Sequence, residues 1–257
     1  MFAYPYLIEM LTPKRAQTPP AELFDRFAGR FSAILDAGCG ISVPDNPMGQ
    51  PRYSTVECIE RSGLAFNPEY LLMNLNTFHT REELDTLLAG AAAADIRYIL
   101  AVRGDGGPLL GRLDPKSIGG SFNVATTPDL LRYINTAYPG RFITGAAFNH
   151  YKPAKIELKR TRDKIDAGAC FIVTQPIIGR NETINRLLDL GVPVVLEAWM
   201  SDNIELLYRS VGRKRQDGEP PYDPWKNLQE LQDAYPGCCI YLSMLSFKKD
   251  WRRLLSL

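Results

Sequence analysis

The chain has 257 residues, of which 45% are hydrophobic and 23% are charged, a composition typical of a globular protein rather than a disordered chain or a coiled coil. Its 30 Lys and Arg residues nearly balance 29 Asp and Glu residues, whereas a dedicated nucleic-acid binder is usually far more basic, so a small-molecule partner is expected. No apolar run approaches the ~18–20 residues of a membrane span, which argues against a membrane protein.

Short apolar segments rich in strand-forming residues recur along the chain, and a helical pattern follows each of them. They are mostly continuous apolar runs rather than strict alternations, which is typical of parallel strands buried on both faces. The predicted strands are, in chain order, residues 6–12, 40–45, 70–77, 98–104, 142–149, 170–176, 193–200 and 238–245.

The segments between these strands carry the start and stop signals of helices. Capping residues mark the starts, and glycines stand where the helices should end. The starts are Ser54 with Glu57, Thr80 with Glu83, and Thr127 as an N-cap ahead of Pro128; the glycines are Gly38, Gly63, Gly140, Gly168 and Gly191.

Eight strand–helix units of roughly 32 residues each predict a (β/α)8 TIM barrel, formed as a single domain by residues 1–257. An open doubly wound sheet is the rival fold, but it usually has fewer strands and a glycine-rich first turn. Residues 12–20, which form the first turn here, contain no glycine. The barrel is therefore favoured.

Two connections are long enough to suggest a function or added packing. The first, residues 105–121, follows the fourth strand and therefore lies on the carboxyl-terminal face, where barrel active sites are built. The second, residues 213–235, contains a predicted extra helix.

The cysteines and the N-terminus indicate a cytoplasmic protein. The first 15 residues lack a basic region ahead of a long apolar stretch, so no secretory signal is expected. Five cysteines form no Cys-x-x-Cys pair, which favours buried free thiols in a reducing compartment. A metal site is not expected, because His79 and His150 are the only histidines and lack ligand spacing.

Polar residues at the carboxyl ends of barrel strands are candidates for catalysis or binding. Glu9 lies among apolar neighbours, and desolvation would raise its pKa towards that of a general acid; nearby Asp105 would raise it further through like-charge repulsion. A structural, paired carboxyl is the alternative for Glu9. Gln175 ends the sixth strand, and its amide can donate and accept hydrogen bonds to a heterocycle; a helix cap is the alternative.

Three further positions have both a functional and a structural interpretation. The Arg103-Gly104-Asp105 turn would let backbone approach a ligand closely, or is simply a solvated turn. Glu197 and Trp199 lie two apart on one strand and so share a face, where Trp199 is expected to pack in the core. His79, at the start of the third helix, is expected at the surface.

Taken together and in this order, these residues resemble the methylenetetrahydrofolate reductase family over nearly the whole chain. Residues 164–176, covering the fifth helix and sixth strand, form the most specific stretch. The other matching stretches are residues 8–13 (IEMLTP), 40–47 (GISVPDNP), 98–105 (YILAVRGD) and 236–241 (PGCCIY).

The resemblance implies a barrel that holds FAD at its carboxyl-terminal face. Hydride would pass from NAD(P)H to the flavin and then to 5,10-methylenetetrahydrofolate, giving 5-methyltetrahydrofolate. Glu9 is then the general acid, Asp105 a catalytic carboxylate beside flavin and pterin, and Gln175 and Tyr241 substrate-binding residues. The implied cofactor-binding residues are Asn74, Arg103, Gly104, Asp105, Phe122, Ala146, Phe148, His150, Glu157, Arg160 and Lys164.

The sequence departs from the family's pattern at the ends of three strands. Residues 74–76 (NLN) replace a frequent His-Leu-Thr, Pro44 replaces a common threonine, and Leu245 a common arginine. The alternative function is therefore a divergent or FAD-free member acting as a non-catalytic or partner-dependent subunit. A homo-oligomer is left open, as is the choice between NADH and NADPH.

Overall fold

The apolar segments form parallel strands in the computed structural model, which describes residues 4–15, 20–214, 218 and 221–256. Each strand pairs with the next, and the last pairs with the first, so the sheet closes into a barrel. The predicted (β/α)8 architecture is confirmed. The strands are β1 (Tyr6–Glu9), β2 (Gly40–Val43), β3 (Leu71–Leu75), β4 (Tyr98–Ala101), β5 (Ile143–Phe148), β6 (Phe171–Thr174), β7 (Val194–Trp199) and β8 (Cys239–Ser243).

Most of the predicted strands extend two or three residues too far at their carboxyl ends. Buried apolar residues continue past the last paired residue: Met10, after β1, is only 2% exposed although it lies outside the strand. The apolar pattern therefore reports burial, whereas strand pairing ends where the loops of the barrel mouth begin.

Helices surround the sheet and cover its outer face. Two short helices lie between β7 and β8, which confirms the extra helix predicted there. The helices are α1 (Pro20–Asp36), α2 (Thr55–Ser62), α3 (Arg81–Ala93), α4 (Thr127–Ala137), α5 (Ala154–Asp166), α6 (Glu182–Leu188), α7 (Ile204–Ser210), α8 (Pro224–Ala234) and α9 (Trp251–Leu254).

The capping boxes that begin α2 and α3 are confirmed at Ser54 and Thr80. The start of α4 differs from the prediction by one residue. Thr126, not Thr127, is the N-cap, because the side chain of Asp129 reaches back to its backbone N–H at 3.0 Å. Pro128 still lies within the first turn, where its missing N–H costs no hydrogen bond.

Two main layers of apolar side chains form the core, and a smaller cluster joins Trp199 to α7. The larger layer lies between sheet and helices, and a smaller one fills the barrel interior. Inside the barrel, the Phe171 ring occupies the space beside Gly145, where an added Cβ would lie 2.3 Å from it. The filled interior leaves the carboxyl-terminal mouth as the place for polar side chains.

The long connection after β4 packs back against the barrel, through a hydrogen bond from Leu113 N–H to Thr77 O, just after β3, at 3.1 Å. Residues 16–19 of the first turn, and residues 215–217, 219 and 220 of the second long connection, lie outside the described residues.

The cysteines differ in their exposure. Cys39 and Cys58 are buried, but Cys170 is exposed, because it lies just outside β6 at its start. Among the described helices, none has both the length and the apolar character to cross a membrane.

Candidate active site

Glu9, the last residue of β1, lies at the barrel mouth and is partly exposed there. The Tyr241 hydroxyl donates a hydrogen bond to its Oε2 at 2.8 Å, and the Met244 N–H donates to Oε1 at 3.4 Å. Burial raises the pKa of Glu9 above its usual value, against the lowering effects of Tyr241, Met244 and the Arg52 guanidinium. Glu9 and Tyr241, predicted as separate site residues, are in direct contact.

A second carboxyl group, that of Glu197, lies in the same mouth. Glu197 is in register with Tyr241 across the β7–β8 pair. Burial raises its pKa to about 8, opposed by a hydrogen bond with Ser243 and reinforced by the charge of Glu9. Strand alternation predicts an inner face for Glu197, but the sequence motifs assign it no role. Asp105, expected to repel Glu9, is not among the groups that shift the pKa of Glu9.

Polar contacts extend across the mouth to β3. The Ser42 hydroxyl on β2 donates a hydrogen bond to Asn74 Oδ1 at 3.3 Å and lies beside the Tyr241 hydroxyl, whose own proton is donated to Glu9. Asn74, expected to bind a cofactor, is thus connected through Ser42 to the Tyr241–Glu9 pair. Sequence reasoning missed Ser42, whose only signal is a small polar residue inside an apolar strand.

Asp45 organises the loops that follow β2 and β3. Its Oδ2 lies 2.7 Å from His79 Nε2 and accepts a hydrogen bond from the Asn76 N–H at 2.9 Å. The expectation that His79 lies at the surface is wrong, because its side chain is only 9% exposed. The connection after β4 covers it: a Cβ at Gly111 would lie 3.0 Å from the backbone carbon of His79.

The Arg103-Gly104-Asp105 turn lies on the rim, and all three residues are exposed. Gly104 has a φ of 77°, and a Cβ there would lie 2.5 Å from the side chain of Asn76, so only glycine fits. The Asp105 carboxylate accepts a hydrogen bond from the Met48 N–H at 3.0 Å. This contact joins the connection after β4 to the loop after β2.

Gln175 directly follows β6 and is partly exposed. Strand alternation puts it on the inner face with Phe171 and Val173, which pack inside the barrel. Its side-chain amide makes no hydrogen bond to any other described residue. The amide is therefore available to a ligand.

The predicted cofactor residues of β5 and α5 are largely engaged in packing. The Lys164 ammonium donates to Ala147 O at 2.6 Å and to Glu157 Oε1 at 3.3 Å. Ala146 and Phe148 are fully buried between sheet and helices, so their side chains offer no surface to a ligand.

His150, at the end of β5, is the exception on this side. It is only 8% exposed, and its Nδ1 has no hydrogen-bond partner among the described residues. Burial lowers the pKa of His150 to about 4, helped by the charge of Arg213, so the ring is neutral near pH 7. A buried and unsatisfied ring nitrogen is a site where a ligand atom would be favoured.

Large apolar side chains are exposed around the mouth on the loops that follow the strands. Predicted cofactor residue Phe122 is 67% exposed, and Leu109 on the same connection is 80% exposed. A cavity of about 620 Å³ also lies beside the mouth, between α2, α3 and the connection after β4. Asp45, Arg52 and His79 are among its lining residues.

Comparison with solved structures shows the same fold at low sequence identity. A protein from Clostridium thermocellum described as binding two copies of 5-methyl-5,6,7,8-tetrahydrofolic acid is 14% identical, with a TM-score of 0.65 over 98% of this chain and 94% of that one. A dihydropteroate synthase from Coxiella burnetii, solved with pteroic acid, is 11% identical, with a TM-score of 0.52 over 100% and 92%.

Sequence comparison shows the family. Methylenetetrahydrofolate reductase 2 of Saccharomyces cerevisiae is 31% identical over 124 residues, which is 44% of this chain and 20% of that protein. The match therefore spans only a fifth of the relative's length. The family model for methylenetetrahydrofolate reductase matches residues 4–189, well over half of the chain. With the barrel and the residues of its mouth, this match shows that the chain belongs to the methylenetetrahydrofolate reductase family.

Proposed function

We propose that the protein is a reductase that converts 5,10-methylenetetrahydrofolate to 5-methyltetrahydrofolate, with hydride from NAD(P)H passed through FAD. The observation that carries the proposal is the meeting of Glu9 with Tyr241 in the mouth, 2.8 Å apart and near a second carboxyl. Family membership over residues 4–189 supports a reductase, and the fold shared with a 5-methyltetrahydrofolate-binding protein is consistent with a folate ligand.

Folate recognition requires groups that donate and accept hydrogen bonds at the edge of a pterin ring. The free amide of Gln175 can do both, and it lies on the inner face of the mouth. The exposed apolar side chains of the rim suit the flat rings of the substrate. Gln175 is therefore proposed as the residue that orients the pterin.

The reaction needs a proton donor when the five-membered ring of the substrate opens. The bond between the bridging carbon and one nitrogen breaks, and that nitrogen takes the bond's electron pair and a proton. The bridging carbon remains as an iminium ion on the other nitrogen and then accepts hydride. Glu9, for which the family resemblance implies the donor's role, and Glu197 are the carboxyl groups of the mouth that could supply the proton.

The carboxyl ends of β4 and β5 fit a flavin. The Nδ1 of His150, which has no partner among the described residues, could accept a hydrogen bond from a ligand or donate one to it. The exposed Phe122 ring could cover a flat ring system, and the exposed Arg103 guanidinium could bind phosphate. Arg160 has a side chain that is 61% exposed and could serve the same purpose. When bound, FAD would accept hydride from NAD(P)H and deliver it to the folate carbon.

A partner-dependent subunit is the second candidate function. The apolar side chains on the rim favour it, because exposed apolar groups of this size also mark protein interfaces. The best examples, besides Phe122, are Met48 at 73% and Leu109 at 80% exposure. A subunit of this kind would bind folate without reducing it on its own.

The test follows the two half-reactions separately by stopped-flow absorbance after titration with FAD. We expect FAD to bind and both half-reactions to proceed. Gln175→Ala should slow the folate half-reaction by ~10- to 100-fold, the worth of an orienting hydrogen bond, and slow flavin reduction far less.

Gln229→Ala, which removes an exposed amide on α8, is the matched control and should change neither half-reaction. A protein with no measurable affinity for FAD, but with calorimetric binding of 5-methyltetrahydrofolate, would support the subunit instead. Absence of both FAD and folate binding would refute the two candidates together.

A further inference from the structure

The cavity beside the mouth is a groove between α2 and α3. Its volume is about 620 Å³, and its lining includes Val56 on α2 and Leu87 and Gly90 on α3. A Cβ at Gly90 would lie 2.7 Å from the Val56 side chain, so the two helices approach closely there. Leu109, on the connection after β4, borders the groove and is 80% exposed. The groove therefore offers an apolar surface to solvent.

Acidic side chains outnumber basic ones in this groove, here called the acidic groove. Arg15 lies 2.7 Å from Glu57, and His79 lies 2.7 Å from Asp45, so two of the acids already have a cation. The guanidinium of Arg52 donates to a backbone carbonyl after β1. The acids of the lining are Asp45, Glu57, Glu60, Glu82 and Glu83, and its basic residues are Arg15, Arg52 and His79.

Glu60 and Glu82 form the two free edges of the acidic groove. Both are exposed, Glu60 on α2 and Glu82 in the first turn of α3, and neither belongs to an ion pair between described residues. Glu83 beside them caps α3 by accepting a hydrogen bond from the Thr80 N–H at 2.7 Å. An apolar floor between two acidic edges fits an apolar segment that carries Lys or Arg side chains.

The segment after β8 has this complementary character. Residues 248–256, here called the basic tail, contain α9 and carry four cations against one acid, Asp250. Leu254 is 5% exposed, and the Trp251 ring stacks on Phe247 with 5.0 Å between centroids, so one side of the tail packs on the barrel. Leu255 is 57% exposed. The cations are Lys248, Lys249, Arg252 and Arg253, and all of them are exposed.

The acidic groove and the basic tail lie on either side of α1. On one side, the Arg30 guanidinium of α1 lies 5.3 Å from the centre of the Phe247 ring, which stacks on Trp251. On the other side, the Ser62 hydroxyl of α2 donates to the Phe24 carbonyl of α1 at 3.4 Å. The order around the barrel is therefore tail, α1, α2 and α3. Both surfaces lie at the carboxyl end of the barrel, because the tail follows β8 and the groove is lined by residues that follow β2 and β4.

We propose that two copies of the chain form a closed dimer in which the basic tail of each copy lies in the acidic groove of the other. A two-fold axis beside α1 and parallel to the barrel axis places the tail of one copy opposite the groove of its partner. The same rotation keeps both surfaces at one height and repeats the contact, so the assembly ends at two copies. Arg252 then faces the edges formed by Glu60 and Glu82, and Leu255 covers the apolar floor. The proposal concerns assembly and does not depend on the proposed reaction.

The charges and the packing favour a second copy over other occupants. The tail cannot fill the groove of its own chain, because Phe247, Trp251 and Leu254 pack on the barrel and α1 lies between the two surfaces. A small cation would compensate the acidic edges but leave the apolar floor and Leu109 in water. A second copy supplies cations and an apolar side chain together, and it does so twice in each dimer.

Sedimentation velocity over a range of protein concentrations tests this arrangement. A mass of about twice the 28.8 kDa of one chain is expected, and the dissociation constant should rise with added salt because ionic contacts are screened. Arg252→Glu and Glu82→Arg should each weaken the dimer by roughly 100-fold, about tenfold for each of the two equivalent contacts. Arg253 is left in place, since its guanidinium lies 4.4 Å from the centre of the Trp225 ring of its own chain.

Charge reversals on α5, on the opposite side of the barrel from α1, are the matched controls. Lys155→Glu and Asp163→Arg make the same changes of charge at exposed positions and should leave the dissociation constant unchanged. Circular dichroism of every variant shows whether the fold is kept. If either of the first two variants unfolds, Lys249→Glu and Glu60→Arg repeat the test at neighbouring charges, with the same expected loss.

Mixing the two weakened variants is the decisive step. In a dimer of Arg252→Glu with Glu82→Arg, one contact pairs the two reversed charges and the other pairs two unchanged ones. Association should therefore return to the affinity of the unmutated protein. A chain that stays monomeric at every concentration, a dimer that both substitutions leave intact, or a mixture that does not associate would overturn the proposal. Assemblies that keep growing with concentration would also overturn it, because the two-fold arrangement ends at two copies.

Discussion

At the scale of single residues, Asp45 shows how one carboxylate after a strand joins two loops. It accepts hydrogen bonds from the Asn76 backbone and from the His79 ring, and both residues of the ion pair are nearly buried. Burial alone would lower the pKa of His79, but the hydrogen bond and charge of Asp45, with a contribution from Glu83, raise it overall. His79 therefore gains a proton more readily in the folded protein than in the unfolded chain.

The pH dependence of the Asp45–His79 pair follows from that direction. A histidine with a raised folded pKa contributes stability that is complete below the unfolded value of about 6.5 and lost as pH rises through the folded pKa. Asp45→Asn should therefore cost ~1–3 kcal/mol at pH 6 and less at pH 9, measured by urea unfolding. Asp25→Asn, at an exposed position of α1, is the control and should change the stability little at either pH. An equal loss at both pH values would mean that His79 is neutral throughout.

At the scale of elements, a lysine in the last turn of α5 links this helix to the barrel. Lys164 bridges Glu157 on its own helix and the Ala147 carbonyl on β5. Glu157 is 4% exposed, and two cations compensate its carboxylate: the largely buried Lys164 at 3.3 Å and the more exposed Arg160 at 3.7 Å. The Lys164 contacts thus hold the last turn of α5 against β5.

Lys164→Met should destabilise the protein by about 3 kcal/mol, the lower end of the range for breaking a buried pair, because it removes the buried cation of Glu157 and leaves only the exposed Arg160 to compensate the carboxylate. Chemical denaturation measures the loss, and Lys159→Met, on the exposed face of the same helix, should change the free energy of unfolding very little. Adding Glu157→Leu to Lys164→Met should recover much of the loss, since no buried charge then remains unpaired and Arg160 is exposed to solvent. No recovery in the double variant would show that the Lys164 bond to Ala147 is the main contribution.

At the scale of the whole molecule, the closed barrel leaves little spare volume inside. Gly145 faces the Phe171 ring, which is fully buried and would lie 2.3 Å from a Cβ added at Gly145. Gly145→Ala should therefore cost ~1–3 kcal/mol through overpacking. Gly29 lies at an exposed position of α1, where an added Cβ meets nothing within 4 Å. Gly29→Ala should therefore stabilise the protein by about 0.5–1 kcal/mol. Thermal unfolding of both variants measures the two changes in stability. An unchanged stability of Gly145→Ala would mean that the barrel interior can adjust to the added methyl group.

Local signals along the chain determined much of this molecule. Parallel strands, the capping boxes at Ser54 and Thr80, and the repeated strand–helix order depend on neighbouring residues, so the sequence predicts them and the barrel they build. The odd position of Glu9 in an apolar strand and the strand-end amide of Gln175 were visible for the same reason. Motif resemblance also identified the family.

Only the tertiary structure decided which of these groups meet. Glu9 and Tyr241 are 232 positions apart and touch because the last strand pairs with the first. The same closure brings Glu197 to the pair, and the packing of the connection after β4 buries His79. Hydrogen bonds and charge coupling depend on distances in space, which barrel closure sets and which residue order along the chain does not encode locally. The surroundings of the Glu9 and Glu197 carboxyl groups are therefore a property of the folded molecule, although both residues are visible in the sequence.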